Sequence, residues 1–283
     1  MIPAQFDYVR AGSVDEAVSA LAEHGDEAKV LAGGQSLIPL LRLRLAYPEV
    51  VVDVGRVAEM QGVRDDGDHI VIGAMTTHYN VLRDPLVRTH CGLVAEATET
   101  VADPAVRHRG TFGGALSHAD PAGDLPAVVL ALDAEFVVAG TGCRRTVAAS
   151  DFFVDYLQTA LAPDEVLVEV RLPKLGEGWG YRYEKFQRVA QAWAIVGVAA
   201  AVQRANGSIT QARIGLTNMG STPLRATATE QALAGADLSA IGEAAGHAAD
   251  GTTPSSDLNG AADYRQHLAR VLTRRAVSAA AGV

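Results

Sequence analysis

Two short glycine-paired segments constrain this chain more than any other feature. The first, Ala32-Gly33-Gly34-Gln35-Ser36, directly follows the apolar run Lys29-Val30-Leu31-Ala32. The second, Thr111-Phe112-Gly113-Gly114-Ala115, leads into Asp120-Pro121 and Asp124-Leu125-Pro126. Lacking a Cβ, glycine lets a backbone approach a ligand closely and turn its amides toward it. Successive amides in such a turn form an anion-binding nest. Gln35, Ser36 and Thr111 add side-chain donors at the same places. The residues leave two readings open: loops that grip the two phosphates of one dinucleotide from opposite sides, or two ordinary glycine turns.

Composition narrows the class. The 283 residues are 48% hydrophobic and 20% charged, which excludes a disordered chain and suits roughly two domains. The formal charge of -9 argues against nucleic-acid binding through a basic face. The two cysteines, Cys91 and Cys143, form no C-x-x-C. They cannot supply an iron–sulfur cluster or a structural zinc by themselves, and they fit a reducing compartment. Both read as buried or half-buried thiols. Met1 to Asp7 lacks the basic start and apolar stretch of a signal peptide. The most apolar windows, 127–132 and 192–202, are too short to span a bilayer. The expectation is a cytoplasmic protein.

Periodicity gives the elements. Ser13 and Glu16 form a capping box for a helix in which Val14, Ala17, Val18 and Leu21 share a face. Strands are expected at 29–32, 49–54, 69–73, 134–138, 145–147 and 165–170. A helix-like or turn segment is expected at 36–45, and helices from 76 to 81, at 92–100 and after Asp124. Pro173 to Gly178 reads as a linker. Beyond it, strands at 180–187, 194–204 and 209–216 suggest a three-stranded antiparallel meander with a hairpin at Asn206-Gly207. Helices at 227–234, 238–248 and 261–279 close the chain.

Neither G-x-G-x-x-G nor a Walker loop occurs, and H-E-x-x-H and G-x-S-x-G are absent. His108 and His118 have poor metal spacing and read as surface or structural residues. Asp120 and Asp124 admit three readings: an acid–base pair, a turn start plus a helix cap, or carboxylates accepting from ribose hydroxyls or a flavin N–H.

Taken together, the two glycine segments, Ala119-Asp120-Pro121 and Asp124-Leu125-Pro126 resemble the FAD-binding medium subunit of molybdenum hydroxylases of the carbon monoxide dehydrogenase and xanthine dehydrogenase family. The opening Ile2 to Tyr8 and the blocks 159–165, 190–196 and 222–226 are similar to that family end to end. The resemblance implies an α+β protein. A vanillyl-alcohol-oxidase (PCMH)-type FAD-binding domain, residues 1–175, has two α/β lobes at about 1–55 and 56–175, and a smaller C-terminal α+β domain spans 176–283. It also implies a set of FAD contacts. These are Ala32, Gly33, Gly34, Gln35, Ser36 and Leu37 in the first loop, and Thr111, Gly113, Gly114 and Ala115 in the second. Val101, Ala102, Asp120, Asp124, Leu167 and Lys185 complete it, with no catalytic residue and no metal ligand. Two positions depart from the family: Gln35 stands where many relatives have His, and Ala192 where many have Asp before Trp193.

The activity implied is that of a flavoprotein subunit. A large partner holds molybdopterin, a small partner carries [2Fe–2S] clusters, and electrons reach FAD here before leaving to an external acceptor. The assembly implied is a dimer of heterotrimers. The rival readings are an independent FAD-dependent oxidase or reductase of the same fold, and a non-catalytic scaffold subunit.

Overall fold

A computed structural model describes residues 2–283. The first lobe is a three-stranded parallel sheet of β1 (Asp7–Arg10), β2 (Ala28–Leu31) and β3 (Val50–Asp53), in the order β1-β3-β2. The β-branched run Val50-Val51-Val52 is buried on both faces, as a central parallel strand demands. Helix α1 (Val14–His24) crosses between β1 and β2, and α2 (Leu37–Leu43) lies between β2 and β3. Ser13 caps α1 through the Glu16 amide at 3.1 Å, but Glu16 returns its carboxylate to the Gly12 amide, one residue before the expected partner.

The second lobe is built differently from the α/β unit expected. Its sheet is wholly antiparallel, in the order β4-β5-β10-β6-β7, with β4 (Val63–Asp66), β5 (His69–Gly73), β6 (Glu135–Gly140), β7 (Cys143–Ala148) and β10 (Val166–Pro173). A small hairpin, β8 (Phe153–Asp155) and β9 (Gln158–Thr159), stands apart. Between β5 and β6 run six helices: α3 (His78–Arg83), α4 (Pro85–His90), α5 (Gly92–Glu99), α6 (Pro104–Arg107), α7 (Phe112–His118) and α8 (Asp124–Ala131). A short α9 (Ala149–Phe152) follows β7. Helices α4 and α6 lie outside the helices expected from sequence, although both begin with an Asp cap before a Pro: Asp84 accepts from Leu86 and Asp103 from Val106.

The C-terminal sheet is four-stranded, not three-stranded. To β11 (Trp179–Phe186), β12 (Val196–Ala205) and β13 (Ser208–Thr217) the chain adds the two-residue β14 (Leu224–Arg225). The expected helix at 238–248 is broken: only α11 (Ile241–Ala244) is α-helical, between two 3-10 turns. Helices α10 (Thr227–Leu233) and α12 (Ala262–Ala280) cover the sheet.

Helix α8 is the junction. Every residue from Asp124 to Ala131 is buried, because the second lobe covers one side and β12 and β13 the other. A Cβ at Gly215 on β13 would lie 2.1 Å from the Ala127 carbonyl oxygen, so only glycine lets the sheet press onto this helix. Gly215→Ala should therefore cost about 1–3 kcal/mol through overpacking. Gly242→Ala, in open space on α11, should be neutral or slightly stabilising. Urea midpoints at fixed m-value check both.

Candidate functional site

One cleft of about 690 Å³ opens where the two lobes and the C-terminal domain meet. All sixteen residues singled out in the sequence line it, from Ala32 through Leu37 to Lys185. That size suits a small-molecule site. A second, more open hollow of about 780 Å³, bordered by Arg83, Arg88, Glu96 and Tyr181, contains none of them.

The two glycine segments make unlike walls. In the first, Gly34 has φ 74° and the chain turns into α2. Among the described residues, the amides of Gly33, Gly34, Gln35 and Ser36 donate to no acceptor. Four adjacent unspent donors on a cleft wall are a nest for an anion. Gln35 lies exposed, its amide group donating to the Gly33 carbonyl at 3.3 Å.

The second segment is not a nest. It is the start of α7, with Thr111 as N-cap. From Phe112 to Ala115 its amides are spent within the protein: Phe112 on the Thr76 carbonyl, Gly113 on Ala74, and Gly114 and Ala115 on Thr111. The glycines serve packing, since a Cβ at Gly113 would lie 2.4 Å from that of Ala74. A Cβ at Gly114 would meet the Thr111 hydroxyl at 2.6 Å and Ala32 at 3.4 Å. What this wall offers a ligand is smallness and the Thr111 hydroxyl hydrogen, because that oxygen already accepts from Gly114.

Asp120 and Asp124 do different work. Asp120 begins a turn, its carboxylate accepting from Ala122 at 2.9 Å. Gly123, not Asp124, is the N-cap of α8. The Asp124 carboxylate instead meets Lys185 Nζ at 2.9 Å and the Tyr183 hydroxyl at 2.7 Å, all three buried or nearly so. Burial raises the Asp124 pKa above its usual range, against the opposing pull of Lys185 and Tyr183. Burial likewise pushes Tyr183 well up. Lys185 also donates to the Thr100 carbonyl at 3.1 Å, which leaves one of its three donors for the cleft. Leu167 supplies apolar surface from β10. Val101 and Ala102 are pinned by Arg107, whose Nη1 reaches the Val101 carbonyl at 2.7 Å.

Three residues of the site escaped the sequence reading. Tyr183 stands two places before Lys185 on one strand, so alternation alone puts both on one face. Gln191 holds the strap between β11 and β12 against Asp103 at 2.7 Å. His78 enters the cleft wall from α3 and carries no sequence signal, because long-range contacts between residues 74–78 and 110–113 place it there. Cys143 proves exposed, contrary to expectation, whereas Cys91 is buried and its thiol is pushed up to about 12. Among the described residues, no group of three or more His, Cys, Asp or Glu is placed to hold a metal, and no helix is long and apolar enough to cross a membrane.

Residues 4–175 match the model of the FAD binding domain in molybdopterin dehydrogenase, and residues 181–280 that of the CO dehydrogenase flavoprotein C-terminal domain. The chain belongs to this family of FAD-binding subunits. It is 41% identical to the carbon monoxide dehydrogenase medium chain of Hydrogenophaga pseudoflava, over 99% of this chain and 98% of the relative. It is 37% identical to the 6-hydroxypseudooxynicotine dehydrogenase complex subunit alpha of Paenarthrobacter nicotinovorans, over 99% and 96%. Among solved structures, carbon monoxide dehydrogenase from Hydrogenophaga pseudoflava lacking the Mo-pyranopterin moiety matches with a TM-score of 0.97 and 43% identity, covering 99% of this chain and 98% of that one. This chain is thus an FAD-dependent oxidoreductase subunit.

The cleft suits that cofactor: a nest of unspent amides for a pyrophosphate, an apolar wall, and a lysine donor beyond. Gly114→Val should lower FAD affinity about tenfold or more, by displacing the Thr111 cap and filling the wall. Gly242→Ala should leave it unchanged. Titration of the apoprotein with FAD reads both.

Burial and nearby Arg107 lower the His78 pKa to about 4. Between about pH 6.5 and 4 the unfolded chain therefore binds a proton at this residue that the folded chain refuses. Its contribution is stability present above that window and lost as pH falls through it, up to roughly 3 kcal/mol. The fall in urea midpoint from pH 7 to 4.5 should be smaller in His78→Gln than in the parent.

Proposed function

We propose that the chain is the electron-relay subunit of a molybdenum-containing hydroxylase or dehydrogenase, most like aerobic carbon monoxide dehydrogenase. FAD, held non-covalently, supplies the capacity to take electrons from [2Fe–2S] clusters of a small partner subunit and release them to an external acceptor. The observation that carries this reading is the single cleft that gathers both glycine segments, Asp124 and Lys185 without an acid–base pair free to act on a substrate carbon. Asp124 is committed to Lys185 and Tyr183, and Asp120 to its turn.

The residues have separable tasks. The Gly33–Ser36 amides bind the pyrophosphate, with the Thr111 hydroxyl on the opposite wall. Lys185 donates its remaining N–H to the flavin end, and Asp124 balances its charge in a site too dry to hold an unpaired ammonium cheaply. Val101, Ala102 and Leu167 keep water from the ring, and Asp120 keeps one carboxylate oxygen for a hydroxyl or N–H of FAD. The domain division is 1–175 and 176–283, with the cleft at the boundary.

The substrate of the complex is set in the large subunit. The similarity to a 6-hydroxypseudooxynicotine dehydrogenase complex subunit at 37% supports this, for it lies close to the 41% of the carbon monoxide dehydrogenase chain. The assembly is a dimer of heterotrimers with the molybdopterin and [2Fe–2S] subunits, in the cytoplasm.

Three outcomes test the proposal. Acid precipitation should release the yellow colour into the supernatant, and colour retained in the pellet would refute non-covalent binding. The dithionite-reduced chain should pass electrons to a dye or quinone. Oxidised chain offered carbon monoxide, xanthine or aldehydes without partners should stay yellow, whereas bleaching by any of them would favour an independent flavoenzyme.

A further inference from the structure

His78 is the least explained polar group in the cleft. The residue is 3% exposed, and its Nδ1 is sealed without a hydrogen-bond partner among the described residues. A buried nitrogen without an acceptor is better left unprotonated than carrying an orphaned N–H, so the tautomer with hydrogen on Nε2 is favoured. That nitrogen bonds to nothing among the described residues, yet it is not among the sealed atoms. It is thus the accessible ring nitrogen of a residue that lines the cleft.

Glycines keep that edge bare. A Cβ at Gly110 would lie 2.9 Å from His78 Cδ2 and 3.2 Å from Nε2, and would cap the ring. On Gly110 rests Gly33 in turn: a Cβ there would come within 2.8 Å of the Gly110 Cα and 2.2 Å of the Arg109 carbonyl oxygen. The histidine edge and the first unspent amide of the nest therefore meet across one glycine. The ring is anchored, because the His78 amide donates to the Gly110 carbonyl at 2.9 Å and Thr77 caps α3.

We propose that His78 is a further FAD-binding residue, donating Nε2–H to a pyrophosphate oxygen beside the Gly33–Ser36 amides. The assignment rests on the FAD reading of the cleft. A neutral donor there binds the anion without adding a charge, and burial beside Arg107 keeps the imidazole neutral.

The test uses the full chain, stripped of flavin and titrated with FAD, with ³¹P NMR of the bound cofactor. His78→Phe should weaken FAD about tenfold, the loss of one hydrogen bond to a charged group, and shift a phosphate resonance. His78→Gln, whose Nε2 sits at nearly the same reach, should stay within about threefold of the parent. Gly110→Ala should weaken binding as well. Wild-type affinity and unshifted phosphorus signals in His78→Phe would overturn the assignment. Equal losses in the Phe and Gln variants with lowered melting temperatures would also overturn it, by showing a purely structural role. If His78→Phe does not fold, ¹⁵N-histidine spectra of the parent decide, and an Nε2 signal unmoved by FAD refutes the contact. Parent chain that takes up no FAD would sink the underlying reading instead.

Discussion

The backbone stitch between residues 74–78 and 110–113 holds the site together. Ala74 and Thr76 give their carbonyls to Gly113 and Phe112, and the His78 amide takes the carbonyl of Gly110. These bonds consume the Phe112 and Gly113 amides and bring the small residues of the second glycine segment against the end of β5. They also place Gly110 where Gly33 of the first lobe can rest on it. Removing the stitch would undo the lobe contact, the position of His78 and the bare wall facing the nest at once.

A second constraint sets the far end of the cleft. Asp124 opens α8, a helix buried on all sides, and Lys185 reaches it from the C-terminal sheet. The pair crosses from one domain to the other with side chains 4% and 5% exposed. Burying either charge alone would be costly. The two charges thus tie the C-terminal domain to the cofactor domain where the cleft needs a fixed cationic donor. Asn218 adds a neutral tie, with its amide on the Pro121 carbonyl and its side chain on those of Ala194 and Ile195.

Much of this was legible in the sequence, for local reasons. The Val50–Val52 run, the Ser13 cap and the Asn206-Gly207 hairpin are short-range signals, and the structure realises each within a residue or two. All the residues marked by the glycine segments and the family resemblance converge on one cleft. The antiparallel second lobe was not legible, because β10 enters the middle of a sheet whose other strands precede it by many residues. Nor was the helical state of Phe112-Gly113-Gly114, since glycine disfavours helix and only the Thr111 cap and tertiary packing impose it. His78 and Tyr183 gain their roles from contacts 32 and 59 positions away along the chain, beyond any local pattern.

The two glycine segments are unlike: the first presents unspent amides to the cleft, and the second, bonded within the protein from Phe112 to Ala115, shapes the wall. Amide hydrogen exchange of the full chain with and without FAD reads this directly. Bound FAD should slow exchange strongly at Gly33 to Ser36 and change Phe112 to Ala115 little, because those amides are already bonded within the protein. Equal new protection of both segments, or none at Gly33 to Ser36, would contradict it.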